Sequence, residues 1–304
     1  MAWKAFLEWA QWFIRWCKLV EAPWAGMEEV ELTRSLRIAR FSAIFIIAGS
    51  MAAEAAPTLQ MHRAVYDLTL GRTQPVSDIT GIRGRMVVEW RGGPKCGGYT
   101  SLQRVVTHVT GVDDDSVSND VRLSYWEAAD GDQFTFTRTE YTNGQLTGQE
   151  EGSAERDKNG GSVRVFREGD EPLAMPGDVL FPIAYNLALI EKAQAGQRVF
   201  SRALFDGTEP GENPTTAFIG KPLSKQWVGE GVEVEGEGKS LSAMRPWPVR
   251  ISYFDPADRE GVPSFEMGYV LFPNGIAAEL TLDYLDVQLK GRLSELTYFA
   301  PDSC

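Results

Sequence analysis

The chain runs to 304 residues and carries 42 acidic against 30 basic side chains, a net charge of −12, with 3 Cys and 2 His. A nucleic-acid binder needs a basic face that this balance does not supply, and His62 and His108 are too few for a His-rich metal cage. At 24% charged and 43% hydrophobic residues, the composition is that of a soluble globular chain rather than a disordered or membrane-spanning one.

Residues 1–26 place Lys4, Glu8, Gln11, Arg15 and Lys18 at helical spacing, with Trp3, Phe6, Trp9, Trp12, Phe13 and Trp16 over the rest of the turn. The segment reads either as an amphipathic, Trp-rich extension suited to a membrane interface or as the product of a start codon set too early, in which case Met27 opens the chain. Residues 27–56 have the three parts of a secretory signal. Arg34, Arg37 and Arg40 form a positive region, Phe41 to Gly49 an apolar run of 9 residues, and Ala53-Glu54-Ala55 the small residues that a signal peptidase accepts. The run is far below the ~18 residues of a spanning helix. No Cys follows it and no Arg-Arg pair precedes it. The general secretory route, cleavage near Ala55/Ala56 and a periplasmic location are therefore expected.

Residues 1–56 hold 6 basic and 6 acidic side chains, so a mature chain of about 248 residues keeps the whole −12. That excess argues against a peripheral hold on anionic lipid. The mature chain also keeps Cys96 and Cys304 while losing Cys17. An even pair in an oxidising compartment reads as a disulfide. Closing a loop of roughly 209 residues restricts the denatured chain by about 5 kcal/mol at most.

Beyond the signal, alternation dominates. Met86, Val88 and Trp90 share one face, as do Phe134 and Phe136, Val163 and Val165, Val249, Ile251 and Tyr253, and the run from Ile276 to Tyr284. Each is the period-2 pattern of a half-buried strand. Asp130-Gly131, Asn143-Gly144, Asp206-Gly207 and Asn274-Gly275 supply hairpin turns. Many short strands so joined predict an antiparallel sandwich or barrel rather than a parallel α/β sheet. One segment breaks the pattern: Pro182 to Gly196 sets Ile183, Leu187, Ile190 and Ala193 on one helical face, with Pro near its start and Gly at its end. Such a helix covers an open sheet, plugs a barrel mouth, or simply packs in the core. Residues 228–245, rich in Gly and Glu, read as a flexible acidic connection or hairpin arm. No composition shift divides residues 57–304, which are expected to form a single β-rich domain.

The search for catalytic chemistry is mostly negative. The chain has no Gly-x-Ser-x-Gly elbow, no His-Glu-x-x-His and no phosphate-cradling glycine loop. His62 lies near the mature N-terminus, where chain ends are mobile, and His108 sits in a strand-like run. Cys96 as a nucleophile competes with its disulfide. The paired carboxylates Glu127 and Asp130 are the remaining route, to a cell-wall glycan hydrolase, although acids before a Gly ordinarily form turns. Asp113 to Asp115 lack calcium-loop spacing. No metal or cofactor is expected.

Several segments together resemble the EipB-like cell-envelope integrity family. They are Gly81-Ile82-Arg83-Gly84, Glu89-Trp90-Arg91-Gly92, Cys96-Gly97-Gly98-Tyr99 with Gln103-Arg104, Ser124-Tyr125-Trp126-Glu127 with Asp130-Gly131, Phe205-Asp206-Gly207, Leu293-Ser294-Glu295-Leu296 and the final Cys304. The resemblance covers essentially residues 57–304; residues 1–26 fall outside the family pattern. It implies a mainly β periplasmic protein. Its single antiparallel, strongly curved sheet, a spiral or open barrel similar to the LolA/LolB lipoprotein carriers, would wrap around or be covered by a helix. It further implies a Cys96–Cys304 disulfide and a non-enzymatic role in envelope integrity, as a scaffold for periplasmic envelope proteins or a carrier of lipid or lipoprotein. In a carrier, Met86, Val88, Phe134, Phe136, Ile183 and Ile190 are candidates to line the concavity; in the alternative they fill a closed core.

Overall fold

A computed structural model describes residues 57–75, 77–113, 115–224, 234–258, 260–300 and Cys304. The readings placed on residues 1–56, the signal and the Trp-rich extension, lie outside the described residues.

The alternating runs become strands, and Asp130-Gly131, Asn143-Gly144 and Asn274-Gly275 become their turns, whereas Asp206-Gly207 falls in the longer loop 205–212 rather than in a tight hairpin. The N-terminal half is a meander of long strands: β1 His62–Thr73, β2 Ile79–Gly93, β3 Gly98–Gly111, β4 Ser116–Ala128, β5 Gln133–Thr142, β6 Gln145–Arg156, β7 Ser162–Arg167 and β8 Leu173–Pro176. A helix, α1, follows at Pro182–Gln194. The C-terminal half contains β9 Val199–Leu204, β10 Asn213–Ile219, β11 Glu235–Gly236, β12 Trp247–Phe254, β13 Pro263–Leu271, β14 Ala277–Asp283 and β15 Val287–Tyr298. Asn143 and Gly144, at φ 51° and 78°, make the β5–β6 turn in the left-handed region that this dipeptide tolerates.

All 15 strands belong to one sheet that does not close, in the order β8-β7-β6-β5-β4-β3-β2-β1-β15-β14-β13-β12-β10-β9, with β11 beside β15. Pairing is antiparallel except for the short parallel contact of β11 with β15. The expected antiparallel body is therefore a single curved sheet, not a two-sheet sandwich. The first strand meets the last at its centre, His62 opposite Tyr298, so each half fans outward from that seam. Segment 228–245 also holds more than a connection. In its described part β11 pairs with β15, and Glu237–Ala243 form 3-10 turns that bury Leu241.

The inner face wraps α1, and the core divides along it. Phe181 and Ile183, at its start, belong to a cluster with Phe134, Phe136, Tyr125 and Val163 from the N-terminal half and Phe205 just after β9. Tyr185, Leu189, Ile190 and Ala193 join a second cluster with residues of β1, β10 and β12 to β15. A helix on an open surface needs one apolar stripe; one enclosed by sheet is covered on several sides. That is why Tyr185 and Leu189, off the expected face, are buried, while Leu187 is only partly covered.

Candidate functional site: the enclosed helix and the inner wall

The start of α1 needs partners for its free amides. Phe181 at the N-cap offers no side-chain bond. Glu127 supplies it from β4: the amide of Ile183 donates to Oε2 at 2.7 Å and that of Ala184 to Oε1 at 2.8 Å. Glu127 is 1% exposed. Burial pushes its carboxyl up to about 7, against the two amides and Arg156, which favour the charged form. Arg156 on β6 completes the clamp. Its guanidinium donates to the carbonyls of Gly177, Val179 and Gly131 and lies over the Phe181 ring. The same segment then strengthens the sheet edge: Leu180 exchanges backbone bonds with Ala203 and Phe205, both 2.9 Å, beside β9.

Of the six candidate lining residues, Phe134, Phe136, Ile183 and Ile190 are fully buried in the two packed clusters. Phe134 stacks on Phe181 at 5.0 Å, and Phe136 meets Phe205 edge-on at 5.7 Å. Met86 and Val88 differ: they pack against the cores yet stay partly exposed on the inner face. Val105 on β3, opposite Met86, shares that state. So do Met267 on β13 and Tyr253 on β12, both packed against the same cluster. Tyr253, Phe265 and Tyr284 form an aromatic run, 5.3 and 4.7 Å between ring centroids. These residues escaped the sequence reading because cross-strand register, not spacing, makes them neighbours. A polar patch lies nearby, where Arg138 donates to Glu140. Burial, and then the Asp206 charge, push the carboxyl of Glu209 up to about 7.

The carboxylate pair does not come together for hydrolysis. Both Glu127 oxygens are taken by helix amides, whereas Asp130 sits exposed on the β4–β5 turn, accepting from the Asp132 amide at 3.1 Å. His62 is not on a loose end: it opens β1 at 2% exposure, its Nδ1 lies 2.7 Å from the Gln60 carbonyl, and burial pushes its pKa down to about 4. His108 is exposed on β3. Cys96, in the 3-10 turn after β2, is bonded to Cys304, with Cα atoms 5.7 Å apart. The C-terminal strand is also held by the Arg91 guanidinium 3.9 Å over the Phe299 ring and by the Phe299 amide on the Met61 carbonyl. Among the described residues, no group of His, Cys, Asp and Glu is arranged to hold a metal.

An open antiparallel sheet wound around one capped helix, with its last residue tied back to the β2–β3 turn, defines a class of β-barrel-like proteins with an occupied interior. Within that class, the chain belongs to the EipB-like family, whose model matches residues 53–300. It is 34% identical over 255 residues to the cell envelope integrity protein EipB of Brucella abortus (strain 2308), covering 83% of this chain and 89% of that one. It is also similar to a crystal structure of a β-barrel-like protein of a domain of unknown function from Brucella abortus. The TM-score is 0.73 at 32% identity, over 81% of this chain and 100% of the other.

Proposed function

We propose that this chain is a periplasmic, non-enzymatic factor in cell-envelope integrity that carries the apolar chain of a lipid or lipoprotein against the inner face of its sheet. Family membership supports the envelope role, since the curated Brucella relative is named for it. The carrier activity rests on one observation: two inner walls of the sheet hold apolar side chains that the core leaves partly uncovered. Met86, Val88 and Val105 stand on one wall and Tyr253 and Met267 on the other. Methionines adapt their shape to irregular apolar ligands, and each acyl CH₂ removed from water contributes about 0.8 kcal/mol. The buried phenylalanines behind them are the rigid floor, not the lining.

Native mass spectrometry of protein purified from a periplasmic extract tests this. The expected result is a co-purifying adduct of lipid mass, removed by delipidation and absent from Met86→Glu and Met267→Glu variants that melt normally. A wild-type protein that carries no adduct and takes up no lipid when offered it refutes the carrier activity.

A further inference from the structure

The outer face of the sheet segregates charge in a way that the total hides. Cross-strand register places Lys290 on β15 and Arg83 on β2 on either side of Thr69 in one row. The next row sets Arg292, Asp67 and Arg85 side by side, and the one after brings Arg104 of β3 against Arg122 of β4. Arg63 and Arg91 lie on the same face toward the other end. With Arg72 of β1, opposite Gln288 and paired with Asp283 of β14, nine cations share this face with five acids, Asp67, Glu89, Asp120, Asp283 and Glu295. The stripe is thus +4 in a chain of −12, leaving −16 on the rest.

Depth adds to the count. Asp120 is 16% exposed beneath Arg104 and Arg122, which are 56% and 49% exposed; Glu89 is 19% exposed beneath Arg91 at 43%. At these two positions the carboxylates sit at sheet level beneath their guanidiniums, whereas Asp67 and Glu295 are each 39% exposed, Glu295 as much as its partner Arg63. Arg83, Lys290 and Arg292 are exposed and make no ion pair with any described residue. Between the arginines lies a shallow depression of about 280 Å³, lined by Val87, Leu102, Arg104, Arg122, Thr137 and Thr139, among others. Leu102, one of its lining residues, is 45% exposed. Uncharged threonines of β5 border the stripe on one side, and Asp113 and Asp115, beyond His108 and the end of β3, close it at one end.

From this charge segregation we infer that the outer face of β15 and β1 to β4 is a docking surface for an anionic lipid membrane. At physiological ionic strength charges act over roughly 8 Å. A membrane in contact with this stripe therefore meets its cations first, while acids two strands away, such as Glu151 of β6, act on it through screening solvent. Cations near such a surface attract it individually, and Leu102, Val87 and the depression give apolar contact at headgroup depth. The expectation from net charge, that excess acid argues against a peripheral hold on anionic lipid, considers the sum of the charges and not their placement. This inference is independent of the carrier activity, which concerns the opposite face of the sheet.

Co-sedimentation of the full folded protein with phosphatidylcholine vesicles, with and without phosphatidylglycerol, tests it. Binding is expected only to the anionic vesicles, falling steeply with added salt. Arg83→Glu/Lys290→Glu/Arg292→Glu should weaken it about tenfold or more. A control on the acidic part of the sheet, Glu151→Lys/Glu155→Lys, should leave it intact. If the reversal variant melts early, the Gln triple variant replaces it and should also bind more weakly. Equal binding to neutral vesicles overturns the inference, as does undiminished binding by a well-folded variant. So does binding to polyglutamate without binding to vesicles, which makes the face one for acidic proteins.

Discussion

Replacing Glu127 with Gln isolates the energetics of the helix clamp. The carboxyl is displaced from its ordinary 4.5 up to about 7 because burial outweighs the Ile183 and Ala184 amides and the Arg156 charge. In the folded protein it keeps its proton to about pH 7; in the unfolded chain it releases it near 4.5. The folded state therefore binds more protons in that window, and this group's contribution to stability falls as pH rises through it. The displacement corresponds to about 3 kcal/mol. Protonated Glu and Gln are close in shape, and each presents one acceptor oxygen to the two amides, so Glu127→Gln should match the parent near pH 4.5. By pH 8 it should exceed the parent by about 3 kcal/mol, roughly 6–12 °C in Tm. Urea unfolding of both proteins at the two pH values cancels every titration they share. A difference that does not change with pH refutes the reasoning. A parent that gains on the variant as pH rises shows that capping and the helix dipole outweigh burial at this site.

Two further outcomes follow from the packing. Cys304→Ser should lower Tm under oxidising conditions, by up to about 5 kcal/mol equivalent, while the fully reduced parent and variant melt within a degree or so of each other; equal melting without reductant excludes the bridge. Gly207→Ala should cost about 2 kcal/mol or more in denaturant unfolding, because φ is +80° and the new Cβ falls 2.4 Å from Phe136; an unchanged midpoint shows that the ring moves aside freely.

The strands were legible because alternation is a local property: Met86-Val88-Trp90 and Phe134-Phe136 needed no partner to declare a buried face. The helix was legible from its period and from its flanking Pro and Gly. Even the inward direction of Glu127 was readable, since Val121, Leu123 and Tyr125 set the parity of its strand. Its task was not, because the amides it caps lie 56 and 57 residues further on. The same limit hid the partly covered walls, where Val105 joins Met86, and Phe265 joins Tyr253, only through cross-strand register. It also hid the basic stripe, in which Arg63 and Arg292 come from opposite ends of the described chain. A net charge is a sum, and a sum discards position.

The pairing of β1 with β15 has a consequence for the order of events in folding. Each half-sheet is a run of hairpins between sequence neighbours, able to form early with little loop closure. The central seam joins strands more than 200 residues apart, the slowest class of contact to close. For a chain synthesised N-terminus first, the strand that completes the middle of the sheet is among the last to emerge. Until then the first strand has one neighbour and a bare edge, and Cys96 has no partner. The molecule is completed from its centre, and last, so the long wait with an unpaired central edge is the stage at which a chaperone or an aggregate competes for it.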